Sequence, residues 1–234
     1  MVYSTQTHST KDMRRNTTMN KKAFTMLELV FVIVVLGILA ALAIPRLDRD
    51  LQQEAADNVL SAIRYTQHLA LLDDKHKFNK KKWQQRFWRI YFGTCDGKKF
   101  YAIGSDDDME SSANARVDFD ESAIDAATGK RFWAHDGGCA RGHQLTDLSP
   151  SVFIGKRYGV TTITPGGRCT NQYLGFDHLG RPYNSQFPNS QQPNNAGYLT
   201  AQCVFTFTMS DGATFKINIE PETGYAYIVG QPDS

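Results

Sequence analysis

Glu28 stands inside the apolar run FTMLELVFVIVVLGILAALAI, the most unusual chemical placement in the chain. An ionised carboxylate within lipid costs about 2.5 to 3.5 kcal/mol even on lenient insertion scales, so such a group calls for a positive partner or an interfacial position. A second set is HKFNKKKWQQRFWRIYF, where Lys77, Lys80, Lys81, Lys82, Arg86 and Arg89 alternate with Phe78, Trp83, Phe87, Trp88, Tyr91 and Phe92. Ammonium and guanidinium groups for phosphates, with rings for base stacking, are what a single-strand DNA surface uses. The competing reading is a lysine-rich turn leading into a buried aromatic strand, with Trp88, Ile90 and Phe92 on one face by period two.

Cys95, Cys139, Cys169 and Cys203 make an even set that supports two disulfides in an oxidising compartment. Four cysteines allow three connectivities. Cys169 and Cys203, flanking the predicted loop between C-terminal strands, make the better pair. His135, Cys139 and His143 are spaced four apart, as zinc ligands on a helix would be, but Gly137, Gly138 and Gly142 argue against a helix there and no Cys-x-x-Cys pair exists. No metal site and no cofactor are therefore assigned. Asp106, Asp107, Asp108 and Glu110 lack the glycine and spacing of a calcium loop and read as solvated acids. His68 and His76 sit on a predicted helix and His178 in a turn beside Asp177, places typical of surface histidines. With no Gly-x-Ser-x-Gly elbow, phosphate loop or zincin motif, no catalytic residue is assigned.

The elements that position these groups begin with the apolar run itself. Leu29 to Ile44 is sixteen residues without a charge. Taken as one helix, Phe24 to Ile44 reaches roughly 31 Å, against about 30 Å for a hydrocarbon core. Lys21 and Lys22 precede it, so the positive-inside bias keeps the N-terminus cytoplasmic and exports the rest. The first 23 residues hold Lys11, Arg14, Arg15, Lys21 and Lys22 against Asp12, leaving 21 basic and 23 acidic residues beyond them. No extended basic field therefore supports the Lys77 to Arg89 patch. A mean hydropathy of −0.42 excludes a polytopic membrane protein, and 41% hydrophobic with 21% charged residues excludes general disorder. A cleaved secretory signal ending at Ala41-Leu42-Ala43 is the rival reading; Glu28 within the apolar stretch and the helical pattern after Pro45 weigh against it.

KKAFTMLELVFVIVVLGILAALAIPRL resembles the N-terminal signal of type IV pilins and of the pseudopilins of type II secretion systems. The resemblance implies cleavage by a prepilin peptidase after Ala23, which stands where the family usually has Gly. It implies N-methylation of Phe24, a filament-forming role for Glu28 through a neighbouring subunit's Phe24 amine, and a helix bend at Pro45. A start at Met19 would give a short leader, MNKKA. LGFDHLGRPY and IEPETGYAYI are similar to segments of minor pseudopilins of the H class and their FimT-like relatives, which implies a minor subunit near a filament tip.

Beyond Pro45, Leu47, Leu51, Ala55, Val59, Ala62, Ile63, Leu69 and Ala70 recur near helical spacing, predicting one long helix from about Phe24 to about Leu72 with a kink or local unwinding at Pro45. The Arg46/Asp48/Arg49/Asp50 cluster reads as a solvated helix face. RFWRIYFGTC and KKFYAIGS predict a hairpin around Asp96-Gly97. Strands are expected near SVFIG, YGVTTIT, NQYLGF and RPYNS, then a three-strand antiparallel meander from YLTAQCVFTFTM, ATFKINIE and YAYIVG. Residues 105–150 carry no clear pattern. The expected class is α+β: a long helix on an antiparallel sheet domain. The expected organisation is a leader over 1–23, a membrane and assembly half-helix over 24–45, an amphipathic half-helix over 46–76, and a periplasmic domain over 77–234. The expected role is structural, in a type II secretion pseudopilus at the inner membrane, with other pilin-like subunits, an assembly platform and the prepilin peptidase/methyltransferase as partners. A minor type IV pilin contacting DNA through Lys77 to Arg89 is one alternative; an anchored periplasmic enzyme is another.

Overall fold

Thr25 opens the first helix: its hydroxyl accepts a hydrogen bond from the Glu28 amide at 3.2 Å and its carbonyl one from the Leu29 amide at 3.1 Å. The computed structural model describes residues 25–76, 83–107, 117–184 and 193–231, and for 41–50 the backbone alone. Helix α1 covers Met26–Leu72. It runs unbroken through Pro45, so the expected unwinding does not occur in its assigned span; the side chains of Leu47 and of the Arg46/Asp48/Arg49/Asp50 cluster lie outside the described residues. The chain divides into two units, Met1–Pro45 and Arg46–Ser234.

In the first unit, every large apolar residue from Met26 to Leu39 is exposed, from 37% at Val35 to 85% at Met26. Apolar on all sides, this stretch matches a helix built for surroundings that are themselves apolar. In the second unit, α1 is one-sided. Ala55, Ala56, Val59, Leu60, Ala62, Ile63, Thr66 and Ala70 are buried, while Asp57, Ser61 and His68 are exposed. Leu51, expected on the inner stripe, is 40% exposed. Polar side chains from the helix flanks reach backbone carbonyls of the β-rich part: Arg64 donates to Ala226 at 2.8 Å, and Gln67 to Gly180 at 2.9 Å and Thr223 at 2.8 Å. These bonds satisfy carbonyls at two turns, Gly180 and Thr223, and at the start of β8, Ala226.

Two four-stranded antiparallel sheets follow. Strands β1 (Trp88–Cys95), β2 (Lys98–Gly104), β4 (Tyr173–Phe176) and β5 (Pro182–Tyr183) form one, in the order β2-β1-β4-β5. Strands β3 (Val160–Gly167), β6 (Cys203–Met209), β7 (Thr214–Ile219) and β8 (Ala226–Ile228) form the other, in the order β3-β6-β7-β8. The arrangement is α+β, consistent with a pilin-like fold. The β1–β2 hairpin turns on Asp96 (φ 47°) and Gly97 (φ 71°), the consecutive left-handed pair that matches strand twist. Along β6, Cys203, Phe205, Phe207 and Met209 are buried and alternate with half-buried Val204, Thr206 and Thr208. Phe205 and Phe207 meet Phe92 of the other sheet at ring-centroid distances of 5.3 and 5.6 Å, so the aromatic faces close the core.

The segment SVFIG is not a strand. Ser149 caps a 3-10 turn over Pro150–Val152, accepting from the Ser151 amide with Pro150 at its start, and α2 (Ile154–Arg157) follows. A Ser-Pro step opening a helical turn overrides the β-branched composition. Gly155 lets this turn lie on β2, since a Cβ there would stand 2.4 Å from the Lys99 amide nitrogen. The YLTAQ stretch is likewise not strand; β6 begins at Cys203. Within 105–150, isolated bridges join Gly104 to Ser122, Ile124 to Arg131, and Arg131 to Leu148.

Candidate functional site

At the N-terminal helix, Ala23 and Phe24 lie outside the described residues, as does the side chain of Pro45. Glu28 occupies the first turn of α1, where an acid complements the unpaired amides of the helix start. Thr25-Met26-Leu27-Glu28 also has the spacing of a capping box, and the Thr25 half of it is formed. The Thr-x-x-Glu spacing of Thr25 and Glu28 is itself the sequence signal for this cap. Among the described residues, no helix is long and apolar enough to cross a membrane. The described apolar side chains stop at Ala40, about 22 Å along a helix from Thr25.

Of the basic and aromatic patch, Lys77, Lys80, Lys81 and Lys82 lie outside the described residues. Its two arginines are not free surface cations. Arg89 is fully buried, donating to the Gln85 carbonyl at 2.7 Å and facing buried Asp106 at 3.7 Å. Burial pulls its pKa down to about 10, against the raising influence of Asp106 and Glu121, so it remains charged near neutrality. Arg86 is held by Asp107 at 2.9 Å, and Lys75 bridges Asp73 at 2.7 Å and Asp107 at 3.0 Å. Arg89 therefore cannot serve as a phosphate contact, because reaching solvent would leave Asp106 without its cation. Asp106 is likewise not a solvated loop acid, being buried opposite Arg89, whereas Asp107 is exposed as expected and pairs with Lys75 and Arg86 at the surface. The strand reading holds for Ile90 and Phe92, which are buried, whereas Trp88 is half-buried and donates its indole N–H to Asp73 at 3.1 Å.

The Asp107 arrangement has a pH signature. Burial pushes the carboxyl's pKa up, but hydrogen bonds from Lys75 and Arg86, with their charges, hold it below the ordinary value. A depressed folded pKa contributes stability that is present above the unfolded carboxylate value and is lost as pH falls through the folded one. Acid unfolding, followed by tryptophan fluorescence, should steepen below about pH 4. Asp107→Asn should flatten that limb; an unchanged acid limb would remove Asp107 from the account.

The cysteines pair as Cys95–Cys139 and Cys169–Cys203. With Cys139 in a disulfide, the spacing of His135, Cys139 and His143 offers no zinc thiolate, and His143 instead stacks on Phe119 at 3.8 Å. Among the described residues there is no group of three or more metal-ligating side chains. His178 lies 3.6 Å from Asp74 and stacks with His76 at 5.5 Å. Its neighbour Asp177 is buried and takes the Arg181 guanidinium at 2.7 Å together with the Leu179 and Arg181 amides, so it shapes the turn.

The chain thus joins an uncovered apolar helix, bearing one acid in its first turn, to a disulfide-stapled α+β domain. Residues 18–44 match the prokaryotic N-terminal methylation motif, which supports the type IV pilin and pseudopilin family and is a signal that suggests membrane anchoring. Neither a curated protein nor a solved structure matches the chain.

Proposed function

We propose that this chain is a structural, non-enzymatic minor subunit of a periplasmic type II secretion pseudopilus, of the H class. The observation that carries the reading is the helix from Met26 to Leu39, exposed on every side, within a segment that matches the methylation motif. Such a surface is stable only when lipid or other apolar helices cover it. In this reading residues 1–23 are removed by the prepilin peptidase, the amine of Phe24 is methylated, and residues 24–45 span the inner membrane with the N-terminus cytoplasmic. Residues 46–76 carry the helix into an exported domain formed by 77–234, and Pro45 marks the exit from lipid. Two disulfides suit an oxidising compartment.

The mechanism is assembly by charge satisfaction. A lone Glu28 carboxylate in lipid is unfavourable, and the positive amine of a neighbouring subunit's Phe24 gives it a partner, so lateral packing against the assembly platform is favoured over the isolated subunit. Glu28→Gln separates this role from capping, because glutamine also fits a capping box whereas it carries no charge. The variant should still be cleaved and reach the membrane, while polymer recovered by crosslinking in cells falls at least about tenfold, a modest share of the cost of an unpaired intramembrane acid. Undiminished polymer would end this reading, and so would mass spectrometry of the membrane-borne protein finding a terminus at Ile44 in place of methylated Phe24. The secretion reading is preferred to DNA uptake because Arg89 already serves buried Asp106 and Arg86 is held by Asp107, leaving the DNA branch to rest on Lys77, Lys80, Lys81 and Lys82.

A further inference from the structure

At the end of the β1–β2 hairpin the Cys95–Cys139 disulfide lines a cleft of about 550 Å³. Its apolar lining comes from Leu145, Leu148, Pro150 and Phe153, and Leu145 is 62% exposed. Three lysines, Lys98 at the start of β2, Lys130, and Lys156 in α2, share that lining against one carboxylate, Asp96. Lys75, Arg86, Arg89 and Arg181 each lie against a carboxylate, whereas none of these three lysines does so among the described residues. The lining therefore carries a local excess of positive charge, in a chain that beyond residue 23 has more acids than bases.

A cleft of this size with apolar walls and a few charged groups has the make-up of a recognition site. Its charge excess selects against cations and its walls select against a purely hydrophilic anion. We infer that the cleft docks a peptide segment of a partner protein in which acidic residues flank an apolar side chain. The apolar side chain occupies the space beside Leu145 and Phe153, and the carboxylates meet Lys98, Lys130 and Lys156. This is the mode in which basic clusters read acidic motifs, with orientation set by charge and residence by apolar burial. The inference stands on residues 95–156 alone and does not depend on the pilus reading.

The test uses the full chain in lipid nanodiscs and a short dye-labelled peptide alternating glutamate with leucine and phenylalanine, followed by fluorescence anisotropy. Saturable binding is expected, weakening as salt rises. Lys98→Glu/Lys130→Glu/Lys156→Glu should lower affinity by about tenfold or more, as the loss of three exposed ion pairs implies. It should also allow binding of the matching lysine-containing peptide, which the native protein should refuse. Lys98→Gln/Lys130→Gln/Lys156→Gln, which reverses no charge and is the safer variant for folding, should fall between the two. Absence of saturable binding, equal affinity in all three proteins, or equal binding of the lysine peptide to the native chain would each overturn the inference.

Discussion

Arg89→Met should destabilise the β-rich unit by about 3 to 5 kcal/mol, the usual penalty for stripping one partner from a buried ion pair. Methionine keeps much of the apolar stem, so the loss reports the charge. What remains is Asp106, 2% exposed, facing a thioether in place of a guanidinium. The Gln85 carbonyl loses its donor as well. Against a typical total of about 5 to 15 kcal/mol, this is a large fraction. Denaturant unfolding is readable by intrinsic fluorescence, because Trp83, Trp88 and Trp133 all lie in this unit. The double variant Arg89→Met/Asp106→Leu should recover most of the loss, since replacing both charges removes the buried carboxylate that has lost its guanidinium. A single-variant cost below about 1 kcal/mol would show that Asp106 finds other compensation.

The second large effect concerns the Cys95–Cys139 disulfide. It closes a span of 44 residues, for which chain-entropy reasoning gives about 4 kcal/mol. The Cys139 side of that span is the glycine-rich stretch from Gly137 to Gly142, in which Gly138 and Gly142 take positive φ. A segment with this much freedom regains more conformational entropy when released than a strand would. Cys95→Ser/Cys139→Ser should therefore lower the melting temperature by roughly 8 to 16 °C for a unit of this size. Cys169→Ser/Cys203→Ser closes a shorter span, 34 residues, and links residues at the end of a ladder where Gly167 already pairs with Cys203. Its effect should be smaller. If the two variants melt together, ladder anchoring does not offset the loss of the link.

The N-terminal half was legible because its signals are local. An apolar run with one acid sits within a few helical turns, and the amphipathic stripe from Ala55 to Ala70 follows from 3.6-residue periodicity alone. The hairpin at Asp96-Gly97 was legible for the same reason: two adjacent residues set the turn. The meander of β6, β7 and β8 followed from alternation and short connections. SVFIG misled because β-branched and aromatic composition resembles a strand, while the cap at Ser149 and the close packing of Gly155 on β2 decided otherwise.

Arg89 shows where reading along the chain stops. In sequence it continues a basic, aromatic series that reads as an outward patch. In space the pairing of β1 with β2 on one side and β4 on the other makes β1 a central strand, and Asp106 follows directly after β2 to meet the guanidinium. Lys98, Lys130 and Lys156, spread over 59 residues, likewise come to one cleft only through folding. The sequence by itself determined the methylation-type segment, the helix, the oxidisable cysteine set and the α+β class, because each depends on neighbours in the chain. Tertiary structure alone decided the split into two sheets, the entry of β3 beside β6 and which charges are spent inside, because those depend on which distant strands lie side by side, whereas the Cys169–Cys203 pairing was already the one the sequence favoured.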